Sequence, residues 1–368
     1  NLMNGRWKAM INVTRSIMPD VEKYHSYIDK LWDTRWLTNN GEYLVQLEQK
    51  LGERFSANCV TVPNGTLALL IGIQLFDFEI GSEIITTPFS FVATTSSILW
   101  QRYKPVFVDI DSETFNIDVS KIEEKITDKT KAILAVHVFG NPCDVQAIEY
   151  VAKKYNLRVI YDAAHCFDVF YDGESIYKFG DVSAASFHAT KVFHTIEGGA
   201  LLSDNKELAD KVKRLRNFGF DQNVNIVDIG INAKMNEFQA AMGLLNLELV
   251  DEEIEKRKER YELYKELLRD VPVRFQKMNP KLTKYNYIYM PVVFKTNEMR
   301  EIAYKVLFEN GYNTRRYFYP SLNSVFSKES CPVSEDISSK ILHLPLYGDL
   351  ELEHVQRICS IIKNTLEG

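Results

Sequence analysis

The feature that most narrows the possible folds is an alternation of short apolar runs with helix-like stretches between residues 59 and 203. Residues 59–62 read as a strand, 63–66 as a turn and 67–76 as an apolar helix. A strand at 82–87 is closed by Pro88, a helix follows at 93–100, and 104–110 is again a strand. The pattern continues with a strand at 130–137, a helix at 145–155, and strands at 157–161, 183–187 and 199–203. Strands that alternate with helices at this spacing argue for an α/β domain with a mostly parallel sheet. Working groups then belong in the loops at the strand ends.

The flanks differ. Ahead of the first strand, residues 18–33 place Val21, Tyr24, Ile28, Leu31 and Trp32 at helical spacing behind Pro19, and a second amphipathic helix spans 42–55. Between them, Asn39-Asn40-Gly41 reads as a turn. Helices without strands at the start suggest an arm or cap. From Ile231 onward the chain is helical for longer than one helix allows without a break. It then carries a strand-like stretch at 285–294 and helices at 298–310 and 352–366. A chain of 368 residues exceeds what one core comfortably holds. The expected division is an N-terminal arm with helices over 1–57, a large α/β domain over 58–245 and a small C-terminal α+β domain over 246–368.

Several function classes are disfavoured. The net charge is −6 with no strongly basic block, which argues against a nucleic-acid partner. The five cysteines, 59, 143, 166, 331 and 359, stand singly, so neither a zinc ribbon nor a disulfide framework is suggested and no metal site is expected. The first ten residues lack an apolar core of signal-peptide length, and no run of eighteen apolar residues could span a membrane. Together these point to the cytoplasm.

Within the stretch 180–200, Lys191 stands without a charged neighbour, among small, hydroxyl and apolar residues and ahead of Gly198-Gly199. Poor hydration disfavours the charged amine, and a neutral amine attacks carbonyl groups. Elsewhere a lone lysine is usually a solvated surface residue. Here other candidates stand beside it. Asp162 ends the run RVIYD, where a helix cap is the plain alternative. Asn64-Gly65-Thr66 is a turn opening onto a helix, a place where free N–H groups favour an anion. Ser186 could add a hydroxyl, and Phe91 could stack on a ring, although an aromatic residue in its place is more often core. A reactive lysine, an acid for a pyridine nitrogen, a phosphate cup and a stacking surface are the needs of pyridoxal phosphate.

The order of these pieces resembles the DegT/DnrJ/StrS family of sugar aminotransferases, of aspartate-aminotransferase fold type I, along nearly the whole chain. The resemblance is carried by RWLTNNG, NGTLAL, EIITTPFSFVAT, KPVFVDID, HVFGNPCD, VIYDAAHCF, SFHATKVFHTIEGGA, RLRNFGF, GINAKMNEFQAA and HLPLY. It implies that Lys191 holds the cofactor and that Asp162 pairs with its ring nitrogen. His165 falls where many relatives have glutamine, beside the ring hydroxyl. Gly65, Thr66 and Ser186 would hold the phosphate and Phe91 would stack. Asn232, in GIN, would reach the phosphate of a neighbouring subunit's cofactor, which makes a homodimer with shared active sites; a helix cap before residues 235–245 is the alternative.

The implied reaction moves an amino group from L-glutamate, leaving 2-oxoglutarate, by way of the pyridoxamine phosphate form. The acceptor would be a dTDP-linked 4-keto-6-deoxy sugar, giving dTDP-4-amino-4,6-dideoxy-D-glucose for a lipopolysaccharide or O-antigen. A dehydrating branch of the family has histidine where Lys191 stands, which favours transamination. Amination at C3 of a dTDP-3-keto sugar is the alternative, and a non-catalytic cofactor or nucleotide-sugar binder is the alternative from another class. A regulator on this fold would add a DNA-binding module, which the chain does not show. His188, His194, Tyr317 and Tyr319 lie in segments near the expected pocket, and Arg35 and Trp36 could flank a nucleotide; each is equally open to a packing role.

Overall fold

The computed structural model describes residues 10–367; the leading segment 1–9, read above for a signal sequence, lies outside them. Seven strands form the central sheet: β1 (Asn58–Val62), β2 (Glu83–Thr86), β3 (Lys104–Phe107), β4 (Thr130–Val136), β5 (Arg158–Asp162), β6 (Val182–Ser186) and β7 (Gly199–Ser203). Their order is β1-β7-β6-β5-β4-β2-β3. All run parallel except β7, which is antiparallel to both its neighbours. The C-terminal ends of the other six strands therefore lie along one edge of the sheet.

The sheet is covered on both faces, and its sequence shows why. Val60, Ile84, Leu134, Ile160, Val182 and Leu201 belong to the core on one side. Their alternating neighbours Cys59, Ile85, Ile133, Tyr161, Ala185 and Leu202 belong to the core on the other. A two-residue period delivers apolar side chains to both faces, so helices must cover both. One layer includes α3 (Gly65–Gln74) and α6 (Lys206–Leu215); the other includes α2 (Glu42–Phe55), α5 (Val145–Tyr155) and α7 (Glu237–Leu247). Helix α1 (Val21–Thr34) packs on α7, and α4 (Val92–Trp100) packs on α3.

The long helical stretch breaks at Glu248 and Leu249, and α8 (Val250–Leu267) follows. Beyond it an antiparallel sheet of β8 (Val273–Arg274), β9 (Met290–Phe294) and β10 (Ile341–Leu344) packs with α8, α9 (Asn297–Glu309) and α10 (Leu352–Glu367) around a core of its own.

The strand expected at 285–294 begins only at Met290. Residues before it dock through side chains instead of a ladder. Asn286 donates to the carbonyls of His165 and Phe167 at 2.9 and 2.7 Å, and the Tyr285 hydroxyl donates to the Phe139 carbonyl at 2.9 Å. This strap fixes the loop that follows β5. The five cysteines are unpaired and buried. Among the described residues no helix is long and apolar enough to cross a membrane, and no group of His, Cys, Asp and Glu is placed to hold a metal ion.

Candidate active site

The strand ends converge on a cavity of about 310 Å³, near the lower end of the roughly 300–1,000 Å³ typical of small-molecule sites. Gly65, Thr66, Phe91, Asp162, His165, Ser186 and Lys191 all line it. Of the residues singled out in the sequence, Asn232 is not among them. It is exposed and pairs with Asn217 in an isolated bridge. Helix α7 is capped by Asn236, not by Asn232, so the capping role open to Asn232 is not filled.

Lattice register builds one end of the cavity. Val62, Gly199 and Ser186 stand side by side across β1, β7 and β6. A Cβ on Gly199 would lie 2.8 Å from the Asn64 backbone and from the Ala185 carbonyl, so only glycine lets the 63–66 turn fold over the sheet end. A Cβ on Gly65 would lie 2.9 Å from the Ser186 Cβ. The turn and Ser186 thus form one concave cup. The Asn64 side chain accepts from the Leu67 N–H at 2.9 Å, and the first helical bond runs from Ala68 to Asn64. The N–H groups of Gly65 and Thr66 precede that bond, leaving them and the helix dipole for an anion.

At the other end, Asp162 is the last residue of β5 and nearly buried. Burial pushes its pKa up; a 2.7 Å hydrogen bond from Thr94 Oγ1, the Ala164 N–H at 3.2 Å and the nearby Lys191 pull the other way. Lys191 follows β6. Its amine is pulled from the ordinary lysine value to about 8, chiefly by desolvation, while the Asp162 carboxylate opposes the change. The nearest hydroxyl is Tyr289 Oη at 3.5 Å. An amine titrating there is available in neutral form at ordinary pH.

His165 is held in one tautomer. Its Nδ1 accepts from the Phe139 N–H at 3.3 Å, and burial keeps its pKa well below the usual histidine value. The proton of the neutral ring is therefore on Nε2, which leaves a donor on a residue that lines the cavity. Phe318 lies parallel to this ring at 6.1 Å, and Tyr289 meets it edge-on at 5.1 Å.

Sequence reading missed Ser90, Thr94, Tyr289 and Phe318. Ser90 and Thr94 carried a signal, an i, i+4 pair of hydroxyls in TTPFSFVAT; the other two come from the C-terminal part of the chain and carried none. Of the residues left open, His188 and Tyr317 line the cavity. His194 is a packing residue: its Nε2 donates to the Ile17 carbonyl at 2.6 Å and its Nδ1 accepts from the Ile196 N–H. Tyr319 lines a neighbouring cleft of about 450 Å³, together with Arg315 and Arg316. That cleft shares Ser90, Phe91, Tyr317 and Phe318 with the cavity, so the two adjoin. Arg35 lines neither, and Trp36 lines a separate hollow beside Glu237.

The profile of the DegT/DnrJ/EryC1/StrS aminotransferase family matches residues 20–363. The chain is 41% identical over 363 residues to the dTDP-4-amino-4,6-dideoxy-D-glucose transaminase of Shigella dysenteriae, covering 96% of this chain and 98% of that one. Its fold is similar to the crystal structure of DesI in the presence of its TDP-sugar product, with a TM-score of 0.92, 29% identity and coverage of 97% and 93%. It is also similar to NtdA from Bacillus subtilis with the bound cofactor PMP, with a TM-score of 0.84, 28% identity and coverage of 95% and 82%.

Proposed function

The chain belongs to the DegT/DnrJ/EryC1/StrS aminotransferase family, and from that premise we propose that it transfers an amino group from L-glutamate to C4 of a dTDP-linked 4-keto-6-deoxy sugar, giving dTDP-4-amino-4,6-dideoxy-D-glucose. The observation that carries this reading is the meeting of Lys191, Asp162 and His165 with the Gly65–Ser186 cup in one cavity. The cofactor is pyridoxal phosphate, and the cavity suits it: an anion cup at one end, a carboxylate at the other and a reactive amine between them. When bound, it supplies an aldehyde for amine chemistry and a ring that takes up the electron pair left at a deprotonated carbon.

The protein's own groups divide the remaining work. The N–H groups of Gly65 and Thr66 and the Ser186 hydroxyl would hold the phosphate. Asp162 would pair with the ring nitrogen and keep it protonated. His165 would donate its Nε2–H to the ring hydroxyl, the task many relatives give to glutamine. Phe91, 57% exposed at the cavity wall, covers one ring face. Lys191 holds the cofactor at rest. Its amine, when free, would take a proton from, or give one to, a substrate carbon beside it.

The adjoining cleft receives the nucleotide, with Arg315 and Arg316 facing its diphosphate. Asn232 serves the cavity of a second copy of the chain, so the working form is a homodimer. We place the reaction in the cytoplasm, where unpaired cysteines persist, and its product in the assembly of a surface glycan such as an O-antigen.

The test is incubation with glutamate, pyridoxal phosphate and a panel of 3-keto and 4-keto dTDP sugars, with mass and NMR analysis of products. A 4-amino-4,6-dideoxy sugar is expected. Amination at C3 alone replaces the substrate, and cofactor binding without any product rejects the transaminase.

A further inference from the structure

The carboxylate of Asp162 is held by residues far from it in sequence. Thr94 on α4 is fully buried, and its Oγ1 donates to Asp162 Oδ2 at 2.7 Å. Ser90, two residues before α4, is also buried, and its Oγ lies 2.7 Å from Thr94 Oγ1. The direction of these bonds follows from the proton count. A hydroxyl has one proton, and an ionised carboxylate has none to give. Thr94 spends its proton on Asp162, so the proton between the two hydroxyls is that of Ser90.

Helix α4 makes this arrangement more telling. Its N-cap is Phe91, with no side-chain cap. A serine beside a helix start usually satisfies a free N–H of the first turn. The Ser90 oxygen accepts from none of those N–H groups, and its proton goes to Thr94. The other Asp162 oxygen accepts only the longer bond from the Ala164 N–H, at 3.2 Å. The titratable groups that act on Asp162 are Lys191, which follows β6, and Cys166 of its own following loop, while His165 of that loop lines the same cavity. The neutral ring and the buried thiol add no positive charge, so apart from Lys191 the carboxylate depends on hydrogen bonds.

We propose that Ser90 and Thr94 form a one-directional hydroxyl relay that keeps Asp162 ionised and fixes its orientation within the cavity. Thr94 is thus a positioning residue for the acid that pairs with the cofactor ring, a role that rests on the reading of Asp162 given above. Ser90 also lines both the cavity and the nucleotide cleft. The relay therefore links the cleft wall to the buried carboxylate through two side chains.

The test uses the full-length protein labelled with ¹³C at the aspartate carboxyls. The Asp162 signal is identified by its loss in Asp162→Asn, and its titration is followed without cofactor. In Thr94→Val, a near-isosteric change that removes the donor, the ionisation constant of Asp162 should fall about 10- to 100-fold, the worth of one hydrogen bond to a buried charge. Affinity for pyridoxal phosphate, read by fluorescence, should fall in parallel. Thr94→Ser should restore both to within about three-fold, and Ser90→Ala should move both the same way by a smaller factor. These two variants carry the test if the valine protein does not fold. Adding Thr94→Val to Asp162→Asn should cost no further affinity.

The relay is overturned if Thr94→Val leaves the Asp162 titration unchanged. It is equally overturned if the double variant loses the full factor of each single one. If Asp162→Asn binds pyridoxal phosphate as the parent does, the assigned role of Asp162 fails, while the titration still reports on the relay by itself.

Discussion

The cavity and the cleft beside it share four lining residues, yet they are built by different means. The cavity is set by the sheet: Ser186 ends β6, Asp162 ends β5, Lys191 follows β6, and the 63–66 turn folds over the start of β7. Each position is held by ladder register and by close approach at Gly65 and Gly199. Much of the cleft is set by one irregular segment, residues 314–326, laid against α9 and the start of α4. Arg316 lies over the Tyr304 and Tyr319 rings and bonds Glu301 at 2.9 Å; Arg315 is exposed, and its guanidinium bonds Asn313 at 3.2 Å. A rigid lattice suits a group that never leaves during turnover and must be placed to a fraction of an ångström. An open rim suits a substrate that enters and departs.

This contrast can be broken from either side, and the cavity should give the larger effect. Lys191→Ala removes the amine that carries the proton. We expect turnover to fall by at least about 1,000-fold, the scale of a lost general acid–base residue. The absorbance of the bound cofactor should change as well, while the melting temperature stays close to the parent's, because the Lys191 amine makes only a long 3.5 Å hydrogen bond to Tyr289 Oη. Single-turnover kinetics with glutamate measures the first effect. A variant retaining even a tenth of the parental rate would show that another base does the work.

The same contrast governs what could be read from the sequence. Lys191, Asp162, Gly65 and Ser186 were legible because each sits at a strand end, and strand ends announce themselves by apolar runs meeting glycine, small or polar residues. The succession of strands and helices along the α/β stretch was legible for the same reason, but not the order of the strands in the sheet. Thr94 lies 68 residues from Asp162 and Tyr289 lies 98 from Lys191; no local pattern reports contacts of that separation. The start of β9 was misplaced because 285–289 alternates like a strand, while Asn286 spends its side-chain amide on the loop after β5 and Tyr285 its hydroxyl on the loop after β4. Strand β10, four residues ending before Pro345, gave too short a run to register. Helix α6 was overlooked although Asn205 caps it by accepting from Glu207 and Leu208. Its apolar positions, Ala209, Val212 and Leu215, are few among charged neighbours.

A cleft residue should behave in the opposite sense to Lys191. Arg315→Ala should raise KM for the dTDP sugar about ten-fold, the worth of a charge-assisted bond discounted for an exposed rim. Cofactor affinity and the half-reaction with glutamate should remain within about two-fold, since Arg315 lines the cleft and not the cavity. The rise in KM should shrink as salt is added. Loss of cofactor affinity in this variant would mean that the two regions are not separate, and an unchanged KM would place the diphosphate elsewhere.

The smallest effect tests how the two charged groups in the cavity speak to each other. The amine of Lys191 titrates at about 8, so roughly half of it is neutral at that pH. Only the neutral amine attacks the cofactor aldehyde. The initial rate of cofactor capture by the cofactor-free protein should therefore rise roughly five-fold between pH 7 and 8 and level off above the midpoint. The sign of the Asp162 contribution is fixed by charge: a carboxylate favours the ammonium form and raises the amine's pKa. Replacing it by the neutral amide in Asp162→Asn removes that support, so the midpoint should move to lower pH and capture at pH 7 should become faster, even though the captured cofactor is held less well. A midpoint that stays in place would mean that solvent in the open cavity screens the pair. A midpoint near the ordinary lysine value in the parent protein would show that the amine is hydrated, and that burial has not prepared it for its task.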